Sequence, residues 1–474
     1  MRQPTPTRAA LLCVAASLLL AGAAHADPPE APMPPRPTDA VQRWTHASGA
    51  TAYLVEKHDF SYVTFTVSLR SGALWDPLDK PGLATLTGEL MMRGAGDRDR
   101  AQLAEDLEVL GTELEVGVGK TTITFDGDAL SRNLDPIVAL VADILQRPTL
   151  SQDEFDRLKR EHRSTILQSR DDDRALARRF FDRYLYGLHP YGLPSDGTLE
   201  GLEAITLDDV RAFYAAHVRA DNVIVGFAGD VTRDRADALL AQLVGALPNG
   251  RPVVPQATAP VEPKGRQVLL VDKPDRTQNQ IVVGHFAPTA EHPDHYALDV
   301  VNTLYGGTFT ARLNHEIREK RGLSYGAYSA FSTSALAGTF FQWTYPAAED
   351  GMKTTRLLLD LFTQLRDTPL TDKQVAFGRD FLINSFAFRI DTPDKLLTEA
   401  IRADLQGLPP DYLDTYVERI KAVTPAQANA AIQRWLDPDN LLLVMLCTAA
   451  GFEEPMGALP GVTTVKVVPY DASF

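Results

Sequence analysis

Cysteine is nearly absent from this 474-residue chain, which has only Cys13 and Cys447. Cys13 falls in an N-terminal segment that reads as a cleaved leader, so a single thiol remains and no internal disulfide can form. The fold must therefore be held by packing. No histidine lies between His58 and His162, which excludes an imidazole-based metal centre from that stretch. Beyond the leader no apolar run approaches the roughly 20 residues that a membrane-spanning helix needs, so the mature chain is expected to lack a membrane span. Positive charge is in deficit as well, giving a formal net charge of −15. Removal of Arg2 and Arg8 with the leader shifts it by two further units, from −15 to −17. Nucleic acid is thereby disfavoured as a partner, while basic or neutral peptides are mildly favoured.

The leader is read from its order of residue types. Arg2 and Arg8 precede the mainly apolar run from Ala9 to Ala21, and Ala24-His25-Ala26 offers small residues just before Asp27. This pattern predicts a secretory signal peptide over residues 1–26, cleavage near Ala26, and a periplasmic or secreted mature protein. What remains is long enough for two or more cores. Cys447 closes the continuous apolar run Leu441 to Cys447, which predicts a buried strand and a thiol that packs rather than attacks.

Prolines at 248, 252, 255, 260 and 263 mark residues 248–265 as an extended linker. The chain on either side repeats itself. Ile205-Thr-Leu-Asp-Asp, a helical pattern and Asp221-Asn222-Val-Ile-Val return as Val423-Thr-Pro-Ala-Gln, a helical pattern and Asp439-Asn440-Leu-Leu-Leu, shifted by 218 residues. Leu150-Ser151 and Leu370-Thr371 repeat at a shift of 220. A near-constant shift implies duplication of one domain rather than a short-period solenoid. The expected domains are 40–247 and 266–474. Val63, Phe65, Val67 and Leu69 alternate with Thr64, Thr66 and Ser68 as a half-buried strand should, with Ile281 to Phe286 as the counterpart. Leu134 to Leu145 and Thr355 to Leu365 carry apolar residues at helical spacing. The mixture predicts an α+β fold of two homologous domains, each a largely antiparallel sheet with helices packed on one face.

Several motifs suggest chemistry they do not complete. Gly117-Val-Gly-Lys120-Thr121 ends like a phosphate-binding loop, but Leu114 occupies the position of the first glycine, and the alternating neighbours predict a hairpin. His292-Pro-Asp-His295 sits in a polar stretch with no third metal ligand nearby, and is expected to be a solvated loop. His315-Glu316 begins a metalloprotease helix motif whose second histidine is replaced by Glu319. His189-Pro-Tyr-Gly192 is a turn by composition, with no acid or nucleophile beside its histidine.

One long phrase is more specific. It runs from Tyr305-Gly306-Gly307-Thr308-Phe309 through Arg312 and Arg318 to Arg321-Gly322-Leu-Ser-Tyr325-Gly-Ala-Tyr328. It resembles the second domain of the insulinase/pitrilysin metallopeptidases, closest in style to the two-subunit mitochondrial processing peptidase, in which a glycine loop leads to a helix bearing an arginine and then to a tyrosine. The resemblance implies that Tyr325 faces the oxyanion formed in peptide hydrolysis and that Arg318 holds a neighbouring carbonyl. A phenol and a fixed guanidinium are suited to this, since charge develops on the carbonyl oxygen in the transition state.

Active members of that family carry an inverted zinc motif, His-x-x-Glu-His, framed by Gly-Leu-Ala and a later glycine. The frame is present as Gly82-Leu83-Ala84 and Arg93-Gly94. Inside it, Thr85 and Glu89 occupy the histidine positions and Gly88 that of the general base; Gln168 takes the place of the third ligand, while Glu161 before it survives. One carboxylate cannot hold zinc and also activate water. The resemblance therefore implies a non-zinc-binding subunit of a heteromeric zinc metalloendopeptidase, without a cofactor of its own. Its partner would be a homologous zinc-binding subunit with an intact His-x-x-Glu-His, and its substrates peptides. The alternative is a non-catalytic scaffold or peptide-binding protein of the same fold.

Overall fold

The structure, a computed structural model, describes residues 36–473 apart from 256–258, 333, 335 and 337. The expected leader lies outside these residues. Among the described residues no helix is long and apolar enough to cross a membrane.

Two six-stranded sheets organise the chain, with a two-residue pair beside them. The first sheet draws on β1 (Gln42–Thr45), β2 (Thr51–Glu56), β3 (Tyr62–Leu69), β6 (Leu114–Val118), β7 (Ile123–Leu130) and β8 (Val223–Gly229), with β4 (Gly94–Ala95) and β5 (Arg98–Asp99) forming the small pair. Its order is β1-β2-β8-β3-β7-β6, antiparallel except between β2 and β8. The second sheet is built from β9 (Arg266–Asp272), β10 (Gln280–Ala287), β11 (Ala327–Ser332), β12 (Gly338–Thr344), β13 (Leu441–Cys447) and β14 (Val462–Pro469). Its order, β11-β12-β10-β13-β9-β14, repeats the first for five strands. Only the outer strand differs: β1 runs antiparallel to β2, whereas β14 runs parallel to β9. The α+β class follows, with largely antiparallel sheets in both halves.

The repeated landmarks turn out to be helix caps. Thr206 and Thr424 each form a capping box, their side chains receiving the amide of the residue three positions on while that residue's side chain reaches back. Ser151 and Thr371 cap the corresponding earlier helices. Such caps satisfy amides that a helix start leaves without partners, which gives a local reason for these residue types at these points.

Each sheet buries one face under helices of its own half, but the opposite face is covered from the other half. The helix Asp173–Tyr186 lays Leu176, Ala177, Phe180, Phe181 and Leu185 on Leu269, Val271, Val282, Leu442, Val444 and Leu446 of the second sheet. In return, the helix Pro393–Leu405 sets Leu397 and Ile401 against Ile224 and Ala228 of β8. Gly226, between those two, has no room for a side chain, since an added Cβ would lie 2.7 Å from the Cδ1 of Ile401. The start points of the two helices, Asp173 and Pro393, are themselves 220 residues apart. Covering on both faces explains why β13 is apolar at every position: all seven of its residues are buried. Full burial of one such aliphatic side chain is worth about 1.5–3 kcal/mol, so the exchanged helices bind the halves together. Cys447 lies in this layer and burial pushes its thiol up to about 12, the environment of a packing residue.

Candidate functional site

The positions of the inverted motif lie on the helix Leu83–Met91, started by the carboxylate of Asp76, whose oxygens accept from the amides of Gly82 and Ala84 at 2.8 Å. Burial raises the Asp76 carboxyl to about 7, against the pull of those amides and of Lys120. Thr85 is buried and its hydroxyl donates to the carbonyl of Ser195 at 2.7 Å. Gly88 faces the sheet: a Cβ there would lie 3.0 Å from the Cγ2 of Ile123 and 3.3 Å from those of Val116 and Val118. Any side chain at that position would press on these three side chains, which would have to give by a few tenths of an ångström. Glu89 is hydrogen bonded at 2.9 Å to Nε2 of His162, a buried histidine on the helix Gln152–Gln168 that ends at Gln168. Glu161 pairs outward with Arg93 at 2.6 Å.

These residues do not fit a zinc ion. Thr85 spends its hydroxyl on a backbone carbonyl, Glu89 is engaged by an imidazole, and Gly88 offers no base. Among the described residues no group of three or more His, Cys, Asp or Glu side chains is arranged to hold a metal. In the sequence His162 marks only the end of the histidine-free stretch. Its partner Glu89 lies on a different helix, and nothing local in the sequence announces their contact.

The other decoys are settled locally. Lys120 and Thr121 belong to the turn between β6 and β7, as expected of a hairpin. His189 caps a short turn, its Nδ1 accepting from the Tyr191 amide, and burial lowers its pKa. His292 lies in a partly exposed loop as expected, whereas His295 does not. His295 opens the helix His295–Tyr305, with Nε2 3.3 Å from Asp299, and His292 lies edge-on to Trp435. Trp435, 143 residues later in the chain, also donates through its indole nitrogen to Asp294 at 2.8 Å, which the local sequence does not announce.

The Arg318 phrase folds as a compact buttress against β11. The helix His295–Tyr305 ends at Gly306 and Gly307, and both glycines are required by close approach. A Cβ on Gly306 would lie 2.5 Å from the backbone nitrogen of Ser329, and one on Gly307 2.6 Å from the side-chain nitrogen of Asn302. The closeness lets the Ser329 amide donate to the carbonyl of Gly306 at 3.0 Å. A short helix, Arg312–Asn314, then widens into a π-helical turn, His315–Glu319. Such widened turns are uncommon and recur at functional sites. Leu313 and Ile317 anchor it in the core, while Asn314, fully buried, accepts the Ala327 amide at 2.9 Å. Gly322, at φ +63°, ends the turn, its amide donating to the carbonyl of Arg318.

This frame leaves its two polar ends outward. Arg318 lies with its guanidinium 4.4 Å over the ring of Phe309, an arrangement that attracts a cation without using its N–H donors. Tyr325 is 82% exposed, although Ser324 and Gly326 on either side are buried. Among the described residues neither the Arg318 guanidinium nor the Tyr325 hydroxyl makes a hydrogen bond within the chain. Phe309 and Asn314 fall within the same sequence phrase, but nothing in the sequence gives them the contacts they make beside Arg318 and Ala327.

Comparison with known proteins bears on the family and the fold. The family description "Insulinase (Peptidase family M16)" matches residues 52–195, and "Peptidase M16 inactive domain" matches residues 204–381. An uncharacterized zinc protease of Mycobacterium leprae is 26% identical over 75% of this chain and 80% of its own length. A protein of Helicobacter pylori named as a non-peptidase homolog is 21% identical, over 80% of this chain and 88% of its own. A crystal structure described as a peptidase M16 inactive domain, from Pseudomonas fluorescens, superposes with a TM-score of 0.80 at 28% identity, covering 86% of this chain and 97% of that one.

Proposed function

Since this chain belongs to the insulinase family of peptidases, we propose that it is the non-zinc-binding subunit of a heteromeric zinc metalloendopeptidase. In this reading Arg318 and Tyr325 complete the peptide site of a homologous partner that carries the intact zinc motif. The carrying observation is the pairing of an outward Arg318 and Tyr325, whose side chains make no hydrogen bond in the chain among its described residues, with Thr85 and Glu89 of the degenerate motif already held by internal contacts. The first set is left for a ligand and the second is closed to one.

The roles follow from donor chemistry. Arg318 presents a forked set of N–H donors to a substrate backbone carbonyl, oriented by Phe309. Tyr325 presents one O–H donor to the carbonyl under attack, where negative charge develops. Zinc belongs to the partner subunit. The mature protein acts in the periplasm or outside the cell, and a solved relative is itself described as a periplasmic protease. The Helicobacter pylori relative's name favours a chain without peptidase activity of its own.

Reconstitution tests this reading. Each subunit alone is expected to leave peptides uncut, and the two together to cleave them. A genome with no exported homologue bearing His-x-x-Glu-His would remove the partner, leaving the scaffold reading.

A further inference from the structure

The two exchanged helices also create an internal space. Residues of Asp173–Tyr186, of Pro393–Leu405, of β3 and β7 and of the β6–β7 turn together line a cavity of about 450 Å³. This is the size of a small-ligand site, and such sites favour interfaces of this kind. Neither Arg318 nor Tyr325 contributes to its lining.

The lining is divided by charge. At one end the β6–β7 turn supplies Lys120, whose ammonium donates to the carbonyl of Leu193. Burial lowers its pKa, opposed by Asp182, Asp76 and Asp196. Arg178 stands near it and donates only through Nε, to both oxygens of Asp182 at 2.9 Å, with its guanidinium 3.8 Å over the ring of Phe341. Its two terminal nitrogens carry no hydrogen bond among the described residues. The third cation, Arg402, is already satisfied by Glu399 and Gln406.

Toward the other end lies Asp126, on β7, bonded to the hydroxyl of Thr66. Asp126 is shared with an adjoining groove of about 310 Å³ whose other charged residues, Glu113, Glu115, Asp128 and Asp394, are all acidic. The cavity therefore runs from a cationic interior to an anionic mouth.

We propose that this cavity binds a short zwitterionic peptide, its carboxylate taken by Lys120 and Arg178 and its ammonium by Asp126. Arg178 has free N–H groups in the fork geometry that suits a carboxylate. A simple polyanion is disfavoured because Asp182 faces both Arg178 and Lys120, and a simple cation because those two positive charges line the same space. A dipolar ligand meets both ends and leaves the net charge of the site unchanged.

The test uses thermal unfolding of the full mature chain, since a ligand of the folded state raises the midpoint. Trialanine is compared with trialanine amide, which lacks the carboxylate, and N-acetyltrialanine, which lacks the ammonium. Trialanine is expected to bind about tenfold or more tightly than either analogue. Asp126→Asn should abolish its advantage over the acetylated peptide, and Lys120→Gln its advantage over the amide. If Lys120→Gln fails to fold, the wild-type comparison and Asp126→Asn still decide. Equal shifts from all three peptides, or no shift at millimolar concentration, overturn the proposal. None of these measurements involves a partner subunit, so failure here leaves the role of Arg318 and Tyr325 standing.

Discussion

Glu89 and His162 are joined by a 2.9 Å hydrogen bond between Oε2 and Nε2, linking the helix Leu83–Met91 to the helix Gln152–Gln168. The bond ties the helix that carries the positions of the inverted motif to the helix that ends at Gln168. Removing the imidazole leaves Glu89 half-buried without that partner, and losing a buried hydrogen bond in this way costs about 1–3 kcal/mol. His162→Ala is therefore expected to lower stability by that amount in urea unfolding. A variant as stable as wild type would show that the link is incidental.

The same contacts predict indifference to metal. Because Thr85, Gly88 and Glu89 are committed to a carbonyl, the sheet and an imidazole, zinc or a chelator should leave the unfolding midpoint where it was. A rise with zinc at micromolar concentration, abolished by Glu89→Gln, would reveal a metal site that the donor geometry does not provide.

Much of this was legible in the sequence, and the gaps have a common cause. The strand from Val63 to Leu69 alternates because one face is more buried than the other, and a period of two survives in any single strand. The caps at Thr206 and Thr424 are equally local, so the duplication could be read from them. The Leu441 to Cys447 run announced a buried strand but not what covers it, because its second layer comes from a helix more than 250 residues earlier in the chain. His162 was invisible for a similar reason: its partner is on another helix. Arg318 and Tyr325 were found by a phrase, while Phe309 reads as one more apolar residue until its ring is seen beneath the guanidinium.

The turn that carries Arg318 should be sensitive at Asn314. Its side-chain oxygen is the acceptor for the Ala327 amide, so Asn314→Ala strands a buried N–H and is expected to cost about 1–3 kcal/mol. In the assembled peptidase the loss should exceed what stability explains, because the same bond fixes Tyr325 relative to Arg318. Unchanged thermal stability and activity in this variant would contradict the buttress described for β11.

Acid should weaken the fold through His217. Its ring is stacked on Phe213 at 4.0 Å, its Nδ1 lies 2.9 Å from the hydroxyl of Ser71, and burial pushes its pKa down to about 4 from 6.5. Below about pH 6.5 the unfolded chain takes up a proton that the folded chain refuses. The stability linked to this ring is thus full above that pH and is lost as pH falls toward 4. His217→Phe should flatten that part of the stability curve; a slope identical to wild type would assign the acid response to other groups.

Phe309 should matter to binding more than to folding. Its ring is 54% exposed and holds the Arg318 guanidinium, so Phe309→Ala is expected to change stability little. In the reconstituted enzyme it should raise KM for peptide several-fold, in the range of a lost cation–π contact of about 0.5–1 kcal/mol. A change in neither quantity would mean that Arg318 is oriented by something else.

The most direct measurement is steady-state peptide hydrolysis by this chain together with an exported homologue that carries His-x-x-Glu-His, comparing wild type with Arg318→Ala and Tyr325→Phe. Each variant is expected to assemble normally and to lower kcat/KM on the order of 10²-fold, the usual cost of one transition-state donor. Wild-type rates in both variants would contradict the proposed role and leave this chain a scaffold.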